Sequence, residues 1–195
     1  MNPNKIIDVE FINDLAHKIH VANVLAGWWP EDADPLTKAQ LVITEIAEAT
    51  EGARKDLMDD HLPQRKMEEV ELADTLIRVL DLGEWASFKY VGSTSYEDLQ
   101  DEIIANLDYP AGLHFILSAH AVGFGSLFLK ANGYRDEGNE TFNDDSYSRM
   151  IDAIIIVANI RQYDLFSALD EKLAYNNQRH DHKLEVRAAE GGKKF

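Results

Sequence analysis

Glu45 and Glu48 stand three residues apart in one stretch of apolar periodicity, and Glu71 and Asp74 stand three apart in the next. On a helix that step turns about 300°, so each pair projects as neighbours from one face. Folded antiparallel, the two stretches bring four carboxylates to one spot. Like charges that close repel strongly unless a hard cation lies among them, and Mg²⁺ takes oxygen ligands while keeping waters to exchange for phosphate. A second account stays open. Glu71, Asp74, Arg78 and Asp81 fall in one narrow stripe, and every amphipathic helix has a charged, solvated face.

Positioning these groups requires a helical scaffold, and the chain reads as helix throughout. A first helix is expected over 5–26, with Ile7, Phe11, Leu15, Ile19 and Val24 as its apolar stripe and His17, His20 and Asn23 off it or at its edge. Gly27 stops it, and Trp28-Trp29-Pro30 follows. Two adjacent tryptophans outside a regular element either cap the core or offer a flat surface on which a nucleobase stacks. Asp34 is placed to cap a second helix over about 35–58, with Pro35 in its first position and Val42, Ile46, Ala49, Ala53 and Leu57 buried. His61-Leu62-Pro63 breaks the chain before a third helix over about 65–88, burying Leu72, Leu76, Val79 and Leu80. Further helices are expected over 95–107, 110–131, 147–161 and 164–177, the run 136–146 being a polar loop and the remainder after 177 extended. No stretch reads as a strand. The expected fold is all-α, with about seven helices in one bundle.

Composition narrows the function. A 195-residue chain with 45% hydrophobic residues has ample length for a core. The net charge of −16 argues against nucleic-acid or anionic-membrane partners, which need basic patches. The chain has no cysteine, hence neither disulfides nor thiolate metal ligands. Its polar start and the lack of a long apolar run lead us to expect a cytoplasmic protein without a signal peptide or membrane span.

The pattern Glu-x-x-Glu, a gap, then Glu-x-x-Asp resembles that of the MazG-like all-α nucleoside triphosphate pyrophosphohydrolases. So do EGARKDLMDDHLPQRK, EVELADTLIRVLDL and the closing EKLAYNNQRHDHKLEVRAAEGGKKF. The resemblance covers roughly residues 11–82 and 164–195. It divides the chain into catalytic helices over 1–90, inserted or repeated helices over 91–163, and a C-terminal helix with a basic tail over 164–195. It implies attack between the α- and β-phosphates of a nucleoside triphosphate, releasing the monophosphate and pyrophosphate. Glu45, Glu48, Glu71 and Asp74 would be ligands of Mg²⁺, with Mn²⁺ as a substitute, and Glu45 or Glu48 would orient the water. Thr44 stands where some relatives carry a further acid, which leaves the general base open.

Four acids repel a triphosphate unless cations meet its far end. Lys172, Asn176 and Arg179 recur at helical spacing, and in the family this Lys-x-x-x-Asn region lines the substrate site. With Lys183, Asn23 and Trp28 they are the expected substrate contacts, and the tail after Asn177 is expected to close over the nucleotide. The stretch ELADTLIRVLDL lays over RMIDAIIIVANI with Asp152 on Asp74. This echo is either a duplication that lost its metal ligands or the accident of two apolar helices, so one metal cluster is expected. The apolar fifth and sixth helices point to a homodimer. Two rivals remain, a pyrophosphatase of phosphoribosyl-ATP or another nucleotide derivative, and a non-catalytic helical assembly protein.

Overall fold

Helix starts follow their caps. The Asp8 carboxylate accepts from the Glu10 and Phe11 amides, Asp34 from those of Leu36 and Thr37, and Asp164 from that of Ser167. In each case the side chain satisfies amide groups that the first turn leaves without a helical partner. The computed structural model describes residues 7–93, 96–105, 109–129, 140–179 and 186. Among these the fold is all-α, with seven helices: α1 Val9–Leu25, α2 Pro35–Lys55, α3 Met67–Trp85, α4 Tyr96–Ile104, α5 Pro110–Ser126, α6 Glu140–Ile160 and α7 Leu165–Asn176. An isolated bridge between Met58 and Lys66 closes the α2–α3 turn, where Asp59 Oδ1 accepts from the His61 and Leu62 amides. No helix among the described residues is long and apolar enough to cross a membrane. The expected tail after Asn177 falls almost wholly outside the described residues.

Helix α3 is the axis of the bundle. α1, α2, α6 and α7 all pack on it, while α5 lies on α2 and α6, and α4 on α6. Leu72, Leu76, Val79 and Leu80 are fully buried, as their periodicity requires. Enclosure overturns the solvated-face account of the acidic stripe, because Glu71 and Asp81 are also buried, as are Glu68 and Glu69. Close approach of the elements depends on two glycines. A Cβ on Gly52 would lie 2.9 Å from the Glu68 amide nitrogen, and one on Gly83 would lie 2.2 Å from the Tyr147 ring.

Three expectations shift. The buried face of α1 is Ile12, Ala16 and Ile19, whereas Phe11 and Val24 are exposed; a four-residue step turns past a full circle, so the row from Ile7 drifts off the face that α3 covers. The Phe11 ring instead meets Phe166 edge-on at 5.5 Å. On α2 the buried face runs through Lys38, Val42, Glu45, Ile46, Ala49 and Gly52, and Leu57, past the helix end, is exposed. Asp56 in the left-handed region (φ 54°) terminates that helix early.

Helix α6 begins at Glu140, within the polar run expected to be a loop. Its polar residues have a partner that patterning does not reveal. Asp144, Ser148 and Asp152 share one face of α6 at four-residue steps, and their side chains accept from the amides of Lys89, Val91 and Ser93 at 2.8, 3.0 and 2.9 Å. A four-residue helical step rises about 6 Å, and two residues of extended chain advance about 6.6 Å, so the two periods keep step. Asn13 of α1 pairs the other edge of this segment, donating to the Tyr90 carbonyl and accepting from its amide. Asp152 also accepts from the Tyr90 hydroxyl at 2.7 Å and is completely buried. The residue that echoes Asp74 is thus engaged in holding a loop, and its pKa is pushed up by burial.

Candidate active site

The α2–α3 pair places Glu45, Glu71 and Asp74 so that one carboxylate oxygen of each lies within 4.8 Å of the others. Glu45 and Glu71 are buried and Asp74 is partly so. Glu48 stands outside this group: a three-residue step from the inward-facing Glu45 carries it to the exposed rim. Four expected ligands are therefore three in the cluster and one beside it. Burial first, then the charge of Asp74 and those of Glu45 and Glu48, push the Glu71 pKa strongly upward against the opposing pull of Lys172. Asp74 is also pushed up, again chiefly by burial.

Two cations from the protein itself relieve the crowding. Lys172 of α7 places Nζ 2.7 Å from Asp74 Oδ2, and Arg78 donates through Nε to Glu45 Oε1 at 2.9 Å, with Nη2 ion-paired at 2.9 Å from the same oxygen. Lys172 is buried. Burial opposes its charge, yet Asp74 and Glu71 hold its pKa above the ordinary lysine value. It therefore sits against the acids as their counter-charge.

Beside the acids opens a cleft of about 750 Å³ between α1, α3, α7 and the loop after α1, within the size range of small-molecule sites. Asp74, Arg78 and Asp81 line it from α3, Asn23 from α1, Trp28 and Trp29 from the loop, and Asn176 and Arg179 from the end of α7. Four of the expected substrate residues, Asn23, Trp28, Asn176 and Arg179, thus share one cleft. Asn176 Oδ1 is buried and, among the described residues, lacks a hydrogen-bond partner. The Arg179 guanidinium lies 5.7 Å from the centre of the Tyr175 ring. Lys183 lies outside the described residues.

The tryptophan pair divides its labour. Trp29 stacks on Trp85 at 5.3 Å with 12° between the planes, and its indole donates to both oxygens of Asp81 at 2.9 and 3.1 Å. Trp28 sits over Lys38, whose Nζ donates to the Trp28 carbonyl at 2.9 Å and lies 5.2 Å from the Trp29 ring centre. Asp81 completes its shell with His20 Nδ1 and Asn23 Nδ2, both at 2.7 Å. A carboxylate only accepts, so His20 must carry its proton on Nδ1, and Asn23 must turn its amide nitrogen to Asp81 and its carbonyl away. Asp81, Arg78 and His20 do not stand out as site residues in the sequence. The signal is nonetheless there: four and seven residues beyond Asp74, Arg78 and Asp81 occupy its own face of the helix.

A second charged cluster lies at the N-terminal end of α3. Glu68, 2% exposed, accepts from Arg161 at 2.8 and 2.6 Å, from the Tyr163 hydroxyl at 2.6 Å and from His114 Nε2 at 3.1 Å. Burial would raise its pKa, but the bonds from His114, Arg161 and Tyr163 hold it down at about 2. Glu69 next to it pairs with Arg65 and accepts from the Asp164 amide. Both residues tie the first turn of α3 to α5, α6 and α7, one turn before Glu71.

Compared with known proteins, the chain matches no family model, no curated protein and no solved structure.

Proposed function

We propose that this chain is a divalent-metal-dependent nucleoside triphosphate pyrophosphohydrolase of the MazG-like kind. The observation that carries the reading is the joining of the Glu45–Glu71–Asp74 cluster to a cleft walled by indole rings and carboxamides. The donor set fits a hard cation: three carboxylates and no nitrogen or sulfur, in a place where burial and then like charge have raised the pKa of Glu71. Glu45, Glu71 and Asp74 would hold Mg²⁺ or Mn²⁺, which would supply positive charge to phosphate oxygens at the breaking anhydride.

The remaining roles belong to the chain's own groups. Asp81 lies seven residues beyond Asp74, about 10.5 Å along the helix, so the acids and the aromatic end of the cleft are separated as a nucleotide's phosphates and base are. Trp28 offers a ring face to the base, while Asn23 and Asn176 offer carbonyl oxygens to its N–H groups or to the sugar hydroxyls. Arg179 meets phosphate at the open end. Glu48, on the rim and without an ion pair among the described residues, orients the attacking water and takes its proton. The water oxygen bonds to one phosphorus of the α–β bridge, the bridging P–O bond breaks, and the monophosphate and pyrophosphate leave.

Pyrophosphate release with Mg²⁺ from a panel of ribo- and deoxyribonucleoside triphosphates, with phosphoribosyl-ATP included, tests this. We expect release from at least one member, abolished in Asp74→Ala and in Glu48→Ala. Near-normal release by either variant would overturn the role of the residue replaced, and a panel without any turnover would leave a helical assembly protein as the better account.

A further inference from the structure

We propose that Arg78 is a phosphate clamp held in reserve: its guanidinium is parked on Glu45, and occupation of the acid cluster by a cation would release it to the substrate. The inference rests on the metal-centre reading and extends it to the order in which ligands bind.

The two cations of the site are not equivalent. Lys172 is 4% exposed and comes from the body of α7, so it has nowhere to go. The Arg78 side chain is 40% exposed and lines the cleft. It grips Glu45 Oε1 with two nitrogens at 2.9 Å, a fork that suits a phosphate equally well. Glu45 belongs to the cluster a cation would fill. A cation arriving there claims the carboxylate and repels the guanidinium in one step.

The freed group has few alternatives. Asp81, one turn on, already accepts from His20, Asn23 and Trp29. Asp14 and Asp170, the other carboxylates of the cleft wall, are exposed to water, where an ion pair is worth little. A phosphate bound between the acids and the aromatic end lies within the reach of Arg78 and has no better-placed rival. Coupling of this kind is reciprocal, so metal and polyphosphate each tighten the other's binding.

The test uses Mn²⁺ alone, followed by paramagnetic resonance of the free ion, and then inorganic tripolyphosphate titrated calorimetrically at saturating Mn²⁺. Arg78→Gln removes a competitor for Glu45, so Mn²⁺ should bind about two- to fivefold tighter. The same substitution should weaken tripolyphosphate by about tenfold or more. Arg78→Lys keeps the charge and should fall between the two, which also guards against a misfolded glutamine variant. Opposite signs on the two ligands are the signature; a residue that merely props the helix would weaken both. Unchanged or weaker Mn²⁺ binding, or unchanged tripolyphosphate affinity, in the glutamine variant would overturn the role of Arg78 and leave the metal centre standing. Undiminished Mn²⁺ binding by Glu71→Gln would instead overturn the metal centre and this inference with it.

Discussion

Replacing Glu71 by glutamine should make the metal-free protein more stable and the metal-loaded protein less so. The three carboxylate oxygens lie within 4.8 Å, a separation at which two unit charges in a medium of effective dielectric about 20 repel by about 3.5 kcal/mol. Lys172 and Arg78 offset much of this, and Glu71 escapes part of the remainder by holding a proton. We therefore expect a net gain of about 1–3 kcal/mol in the variant, or roughly 3–10 °C for a chain of this length. The sign with pH follows from the raised pKa. A carboxyl group whose pKa is higher folded than unfolded stabilises fully below the ordinary carboxylate range, and that contribution is lost as pH rises. The wild type should then lose stability between pH 5 and pH 8 relative to the variant, and the gap between them should widen upward. Mn²⁺ at about a thousand times its dissociation constant should add about 4.1 kcal/mol to the wild type and much less to the variant, so the order of the two melting temperatures reverses. Thermal unfolding in chelator and in Mn²⁺ across that pH range measures all of this. A variant that melts below wild type in chelator, or takes the full Mn²⁺ shift, would refute the account of Glu71.

Two further outcomes concern the scaffold. Glu68→Gln removes a carboxylate whose pKa is held at about 2 rather than the ordinary 4.5. The wild type should lose this contribution as pH falls from about 4.5 towards 2, and the variant should lack that limb while being weaker at neutral pH by roughly 3 kcal/mol; urea midpoints at a series of acid pH values would show it. Gly83→Ala forces a methyl group to within 2.2 Å of the Tyr147 ring, which should cost about 2 kcal/mol or more, and an unchanged melting temperature would mean that α3 and α6 do not approach as described.

What the sequence disclosed depended on whether a residue's role was local. Caps such as Asp34 and Pro35 act within one turn, and the core of α3 follows from period alone, so both were legible. So was the fold class, and so was the convergence of Glu45, Glu71 and Asp74, because a tight hairpin joins their helices. Roles that rest on distant partners were hidden. Asp144 read as loop because polar residues at a helix start usually face water, and Ser148 read only as a polar position of the sixth helix; their partners, the amides of 89 and 91, lie more than fifty residues away. Asp81 resembled any acid on a charged stripe until His20, Asn23 and Trp29 were seen to meet there. Glu48 shows the converse limit. Spacing put it beside Glu45, but spacing alone does not say which of two neighbours faces inward.

The enclosure of α3 also bears on how the protein breathes. Four helices cover it, and its two ends are held by Glu68 with Arg161 and by Asp81 with Trp29, so its amide hydrogens have no local opening through which to reach solvent. They should exchange with deuterium only when the whole molecule unfolds, at the free energy of global stability. α5, which carries an outer face with Phe115 and Val122 exposed, can fray without disturbing it. Two of the three acids, Glu71 and Asp74, ride on this segment, so they should hold their register through the fluctuations that admit and release ligands at the cleft, with Glu45 supplied by the neighbouring α2.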